Sequence, residues 1–251
     1  ANAEGIIQVF KGKWMDLPER LSIAVNSFGT PNFSYHRFGI GFKNNGTNIN
    51  SNYLLRQSIK LYVIHKGAAS LHFPDISQWN ISGLDNFDNL FNSTYATNPN
   101  ISGWDVSHVT SMKWMFQYCS DINVDFSNWD VGNVKNMSHM FFNSAYSEIK
   151  GVENWNVSNV TDMTSMFAYS SLFDKDISLW DVKKTTSINS MFSNCSSFNQ
   201  DISKWKLESI NKWGWKNGAE GGKGVYNAFY YTRNFSVELG QTWTVLHDQI
   251  N

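Results

Sequence analysis

Only two of the 251 residues are cysteine, four are proline, and charged side chains make up 16% of the chain. Two thiols cannot build the disulfide framework that stabilises small secreted folds, so the packing must come from elsewhere. Twenty Lys and Arg against 21 Asp and Glu leave a formal charge of −1, which supplies no footprint for nucleic acid or an anionic membrane. Long apolar runs are missing as well. Stretches such as Leu61 to Ile64 fall far short of the roughly 20 residues that cross a bilayer, so no transmembrane segment is expected. Ala1 to Phe10 lack the basic start and apolar run of a secretion signal, which leaves a cytosolic or an already processed chain. What is present is apolar and aromatic: 41% hydrophobic and 16% aromatic residues can bury a sizeable core in one or two domains and argue against disorder.

The apolar residues are periodic. Tryptophans fall at Trp79, Trp104, Trp129, Trp155, Trp180 and Trp205, 25 or 26 residues apart, and Phe91, Phe116, Phe141, Phe167 and Phe192 each follow one of them by 12. An aliphatic stands two residues after each Trp (Ile81, Val106, Val131, Val157, Val182, Leu207), and another five after it, with Thr185 as the exception. Met112, Met137 and Met163 hold the eighth place, and Met115, Met140, Met166 and Met191 the eleventh.

Each unit reads I-S-x-W-[DN]-V-S-x-V-T-x-M-x-x-M-F, as in Ile101 to Phe116. Trp and the aliphatic two later alternate as in a strand, whereas Val, Met and Met at intervals of three predict a short helical or 3-10 segment. A strand and a turn in about 25 residues make one coil of a solenoid, whose apolar side is buried only by its neighbours. Six coils at about 4.8 Å each give a rod of roughly 29 Å. Trp104-Asp105-Val106-Ser107, Val157-Ser158-Asn159-Val160-Thr161-Asp162-Met163 and Phe198-Asn199-Gln200-Asp201-Ile202-Ser203-Lys204-Trp205 closely resemble the BspA-like leucine-rich-repeat family of microbial surface proteins. The resemblance covers about 71–212. It implies a curved, leucine-rich-repeat-like solenoid of parallel short strands used for adhesion or other protein contact, with no catalytic residues and no cofactor.

Residues 1–70 show no repeat. Strand-like runs at Gly5 to Phe10, Arg20 to Phe28, Phe38 to Lys43 and Ser58 to His65 predict a small β-rich N-terminal domain or an enlarged cap suited to attachment. Residues 213–251 hold a Gly-rich insertion, Trp213 to Gly224, followed by Phe229 and Phe235, and are expected to form a degenerate seventh, capping coil. Trp213 and Trp215 either anchor a partner or fold over the end of the core.

Familiar chemistry is excluded one motif at a time. Gly222-Lys223 has Asn217 and Gly224 where a phosphate-binding loop needs Gly and Ser or Thr, so nucleotide binding is not expected. Cys119 and Cys195 share one column three coils apart. That is about 14 Å at the strand spacing, too far for a disulfide, and the reading is two free, buried thiols. The six histidines lack H-E-x-x-H spacing, which disfavours zinc, and His108 and His139 read as ordinary surface residues. Acidic or amide residues recur one place after the Trp and four before it (Asp75, Asn100, Asp125, Asp176, Asp201). Calcium held between coils competes with turn capping by short polar side chains; the absence of a dense D-x-[DN]-x-[DN]-G loop favours capping. Many N-x-[ST] triplets, such as Asn136-Met137-Ser138 and Asn159-Val160-Thr161, follow from the consensus itself.

If Trp points inward, the positions beside it form an outward ribbon. Gln78, Gly103, Asn128, Asn154, Leu179 and Lys204 precede the Trp, and Asn80, Asp105, Asp130, Asn156, Asp181 and Lys206 follow it. The early coils are acidic or amide and the last basic, a gradient able to orient a partner. The expected function is a non-enzymatic binding or adhesion module at a cell or particle surface, contacting a protein or glycan on another surface. The alternative is a structural component of a virion, appendage or surface layer that touches neighbouring subunits and is anchored by the N-terminal domain.

Overall fold

The computed structural model describes residues 76–78, 81, 84–94, 99–120, 122–144, 149–210, 225 and 227–232, together with 6–10, 14–16, 41–43, 56 and 59. Near the N-terminus, β1 (Ile6–Phe10), β2 (Trp14–Asp16) and β3 (Gly41–Lys43) form an antiparallel sheet in the order β2-β1-β3. Gln8 faces Asp16 on one side and Gly41 on the other. Within the run Ser58 to His65 that predicts a strand, Ile59 is helical and buried, so the strand expectation fails there. The run Arg20 to Phe28 lies outside the described residues.

From residue 76 onward the repeat columns are the interior. Trp104, Trp129, Trp155, Trp180 and Trp205, the aliphatics two residues later, the methionines and the column phenylalanines are all buried in one cluster. Phe91, Phe116, Phe141, Phe167 and Phe192 pack ring on ring, with successive centroids 5.2, 5.5, 5.7 and 6.0 Å apart and planes within 15°. The indoles have a different job. Each Nε1–H donates to a carbonyl of the preceding unit: Trp104 to Ile76, Trp129 to Ile101, Trp155 to Phe126, Trp180 to Val152 and Trp205 to Ile177, at 3.0–3.2 Å. A buried indole needs such an acceptor, and the neighbouring unit supplies it. Thr185, the polar member of an aliphatic column, is buried because its hydroxyl donates to Val160 O at 2.9 Å.

The backbone departs from the sequence expectation at two places. No strand forms at the tryptophan, where Trp104 N–H closes a turn onto Ile101 O and Val109 N–H another onto Val106 O. Trp and the aliphatic face inward together because a short link joins two turns. Parallel bridges instead join Asn86, Ser111, Asn136, Asp162 and Ser187 in succession, each seven residues after a repeat Trp. The M-x-x-M-F segment is neither α-helical nor 3-10. In the first unit Leu90, Asn92 and Thr94 donate to Phe87, Asn89 and Phe91 in overlapping turns, with positive φ at Asn89 and Ser93. Left-handed residues at this spacing cannot belong to a right-handed helix. The 3-10 turns among the described residues lie before the tryptophan, at Ile76–Gln78 and Val152–Asn154.

These turns align the peptide groups. Met112, Trp114, Phe116 and Tyr118 donate to Asn136, Ser138, Met140 and Phe142 of the next unit at 2.8–3.0 Å. The peptides ahead of those donors accept from Phe87, Asn89, Phe91 and Ser93 of the unit before. Four columns of peptides therefore point the same way, and one, through Thr110, Lys135, Thr161 and Thr186, points back.

The same ladder locates the segment after the insertion. Phe91 and Phe141 donate 24 and 25 residues ahead, to Met115 and Met166, whereas Phe192 donates 36 ahead, to Ala228. Phe229 stacks on Phe192 at 5.4 Å, and the Thr232 hydroxyl donates to Phe229 O as that of Thr94 does to Phe91 O. Residues 225 and 227–232 thus complete the sixth unit, begun at Trp205, and do not start a seventh. The insertion, with Trp213 and Trp215, lies outside the described residues.

Candidate functional site

Asp105, Asn128, Asp130, Asn154, Asn156, Asp181, Lys204 and Lys206 are all exposed, while Asn80 and the Gln78 side chain lie outside the described residues. Of the described Asx residues in this ribbon, those that follow a Trp each have one side-chain oxygen engaged. Asp105 accepts from Ser107 N–H and Oγ, Asp130 from Gly132 N–H, Asn156 from Ser158 N–H and Oγ, and Asp181 from Lys183 N–H. Four residues before the Trp, Asp125, Asp176 and Asp201 cap Ser127, Ser178 and Ser203 in the same way. The hydroxyls and amides of Ser107, Ser127 and Ser178 hold the carboxyls of Asp105, Asp125 and Asp176 below the usual range. Each side chain closes its own Asx turn. Among the described residues no three His, Cys, Asp or Glu side chains gather as a metal site.

The thiols sit in the small-residue column fifteen places after the Trp. Cys119 Sγ donates to Phe91 O, Ser144 and Ser170 hydroxyls donate to Phe116 O and Phe141 O, and Cys195 Sγ donates to Ser170 O. Both cysteines are free and buried. Burial pushes the Cys119 thiol up to about 11 and raises that of Cys195 as well, the opposite of what a nucleophile requires.

The turns that follow the Trp carry a second surface. Trp114 and His139 rings lie 6.1 Å apart, His139 and Phe142 5.6 Å, and Phe142 meets Tyr118 at 5.5 Å and Tyr169 at 5.4 Å. Lys113 Nζ stands 3.9 Å from the Trp114 centroid. Five rings from three adjoining units form one strip, with Tyr118 42% and Tyr169 48% exposed. His139 is a half-buried member of this cluster and not an ordinary surface residue. Its Nδ1 has no partner, and burial lowers its pKa. His108 is likewise half-buried, with Nε2 3.2 Å from Ile81 O.

Four of these rings stand on unfavourable backbone. Trp114, Tyr118, His139 and Tyr169 have φ of 57°, 57°, 57° and 62°. The same two places in other units carry Asn89, Ser93, Asn143, Ser165, Ser190 and Asn194. Asn tolerates this region, whereas a bulky residue pays roughly 1 kcal/mol or more to occupy it. Strain of this kind concentrates at ligand-contacting sites. The strip is not visible in the repeat pattern because its residues occupy variable positions; aromatics clustered off the consensus in the second to fourth units are the sequence signal for it.

A family model described as "Mycoplasma protein of unknown function, DUF285" matches residues 59–149 and again 141–215. No curated protein and no solved structure matches the chain.

Proposed function

The chain belongs to the DUF285 family of Mycoplasma proteins of unknown function, and from that premise we propose that it is a non-enzymatic binding module at a cell or particle surface. In this reading the stacked units form a solenoid of the leucine-rich-repeat kind, as the resemblance to BspA-like surface proteins implies. Residues 1–70 serve attachment, and the strip of Trp114, Tyr118, His139, Phe142 and Tyr169 meets the partner. The observation that carries it is the placement of exposed aromatics on left-handed backbone where neighbouring units use Asn or Ser. Solvent-exposed aromatic clusters are the usual anchors of recognition. The ribbon beside the tryptophans supports the turns and frames the partner with its charge gradient.

The test is saturable binding of the labelled full chain to a panel of cell-surface and extracellular-matrix preparations. The double substitution Tyr118→Asn with Tyr169→Asn is expected to weaken binding by about tenfold or more, as two lost aromatic anchors should. Equal binding by both proteins would refute the reading. Self-association abolished by the same substitutions would assign the strip to assembly between copies instead.

A further inference from the structure

Fourteen residues after the repeat tryptophan, the units carry Ser93, Tyr118, Asn143, Tyr169 and Asn194, and the completed sixth unit places Tyr231 at the same point. Tyr118, Tyr169 and Tyr231 are 42%, 48% and 60% exposed. An exposed tyrosine therefore returns every second unit, and Asn143 is exposed between the first two. The rings do not share a plane. Phe142, half-buried, meets Tyr118 at 5.5 Å and 80° and Tyr169 at 5.4 Å and 58°. Two exposed rings thus stand on either side of a lower one, and the three enclose an apolar notch. In the sixth unit Tyr230 and Tyr231 make a second steep pair, 4.3 Å apart at 67°.

No charged residue stands at the thirteenth or fourteenth place of the second to sixth units; Asp88, Lys113 and Asp162, of both signs, lie at the seventh and ninth places beside them. What the two uncharged columns offer besides ring surface is donors, the tyrosine hydroxyls and the exposed Asn143 amide. We propose that this face binds an uncharged, proline-rich segment of a partner protein in the polyproline II conformation, laid along the direction in which the units stack. The proposal rests on the binding-module reading above and names the chemistry of its partner.

Spacing and hydrogen bonding both select that conformation. Two units span about 9.6 Å at the strand spacing, and one turn of polyproline II, three residues at about 3.1 Å each, spans about 9.3 Å. Tyr118 and Tyr169 therefore meet equivalent positions one turn apart, with the proline between them seated on Phe142. A β-strand returns to the same face every two residues, about 6.8 Å, and falls out of step. An α-helix uses its carbonyls internally, whereas polyproline II leaves all of them open to outside donors. Proline has no N–H, so a proline-rich segment asks no acceptor of a face that has no carboxylate in these columns. Rings set at steep angles form grooves for pyrrolidines, which is how aromatic-lined sites take such segments with little loss of chain entropy.

The experiment is calorimetric titration of the full chain with two blocked, uncharged peptides of equal length, a proline decamer and an alternating Gly-Ser decamer. The proline probe is expected to bind saturably, with an affinity indifferent to salt, and the Gly-Ser probe to give no measurable binding. Tyr118→Asn and Tyr169→Asn should each weaken the proline probe by about threefold or more, as the loss of one ring wall should. These variants introduce the residue that the same column already holds at Asn143 and Asn194, so the fold is preserved, and unchanged urea midpoints check it. Asn143→Asp keeps the shape and removes the amide donor, and should weaken the same probe by about threefold or more. Absence of binding by the proline probe, equal binding of both peptides, or binding indifferent to the tyrosine substitutions overturns the proposal. Self-association lost on Tyr169→Asn would give the face to a second copy and overturn it as well. If surface preparations bind through Tyr118 and Tyr169 while the proline probe neither binds nor competes, the peptide class falls and the binding-module reading stands; if the preparations do not bind either, both fall.

Discussion

At the scale of single residues, the units are specified by groups that have one acceptable partner. An indole N–H buried against the preceding unit must find an acceptor, and the carbonyls of Ile76, Ile101, Phe126, Val152 and Ile177 are placed for it. Glycine is required where the backbone of adjacent units touches. Gly151 has φ of 83°, and a Cβ on it would stand 2.3 Å from Ser127 N and 2.7 Å from Ser127 Cα. Gly103, one place before a repeat Trp, has nothing within 4 Å of such a carbon. Gly151→Ala is therefore expected to cost about 3 kcal/mol or more, from overpacking and strain together, and Gly103→Ala less than about 0.5 kcal/mol. Urea denaturation of the two variants checks this, and equal costs would contradict the close approach at Ser127. The need for Gly151 is not legible in the chain, because the atoms it avoids lie 24 residues away in sequence.

At the scale of the element, the turn replaces the strand and helix that periodicity predicts. Hydrophobic spacing reports which residues face inward and says nothing about the path between them. Trp and Val two residues apart are inward on a link between turns as they are on a strand, and Met at intervals of three is inward on overlapping turns as it is on a helix. The left-handed residues that decide the matter include Trp114, Tyr118 and His139, which local propensity would never place there. The Asx turns, by contrast, are legible: D-x-S or N-x-S after Trp79, Trp104 and Trp155, and D-x-S ahead of Trp129, Trp180 and Trp205, are the local signature of capping. They make stability depend on acidity. Asp105, Asp125 and Asp176 have folded pKa values below their unfolded ones, so the unfolded chain binds more protons in acid. Their contribution is complete above the usual carboxylate range and is lost as the pH falls through the lower folded values. His139, lowered by burial, acts in the same direction, beginning below the ordinary imidazole value of about 6.5. Denaturation midpoints should decline in two stages as the pH drops from 7 toward the acid limit, about 3. His139→Gln should flatten the first stage, and Ser107→Ala with Ser127→Ala should shallow the second. A midpoint constant with pH would contradict both.

At the scale of the molecule, stability accumulates along the stack. Phe141 lies between Phe116 and Phe167 and also meets Phe126 and Trp155, whereas Phe229 is partly buried and stacks on Phe192. In an array of units coupled to nearest neighbours, Phe141→Ala should cost about 3–5 kcal/mol, the range for a large aromatic removed from a core. Phe229→Ala should cost less than about half as much, read from the same urea curves. Four peptide columns aligned one way against one the other give the stack a net dipole with its N–H end toward the sixth unit. In a β-sheet the strand dipoles largely cancel. Lys204 and Lys206 are exposed there beside the equally exposed Asp201 and Glu208, so the side chains add no net charge to that end.

The amino-acid sequence by itself determined which residues are buried and which of them are equivalent. A 25-residue recurrence of Trp, Val, Met and Phe leaves no other way to hide that much apolar surface than against its own copies. It also determined the capping turns, since those bonds close within three residues. Whatever depends on contacts one unit away was decided by the tertiary structure alone. The left-handed backbone at the tenth and fourteenth places, the sixth unit completed across the insertion, and the strip of rings on variable positions all follow from hydrogen bonds and ring contacts between residues of different units, far apart in the chain, which local patterning does not encode.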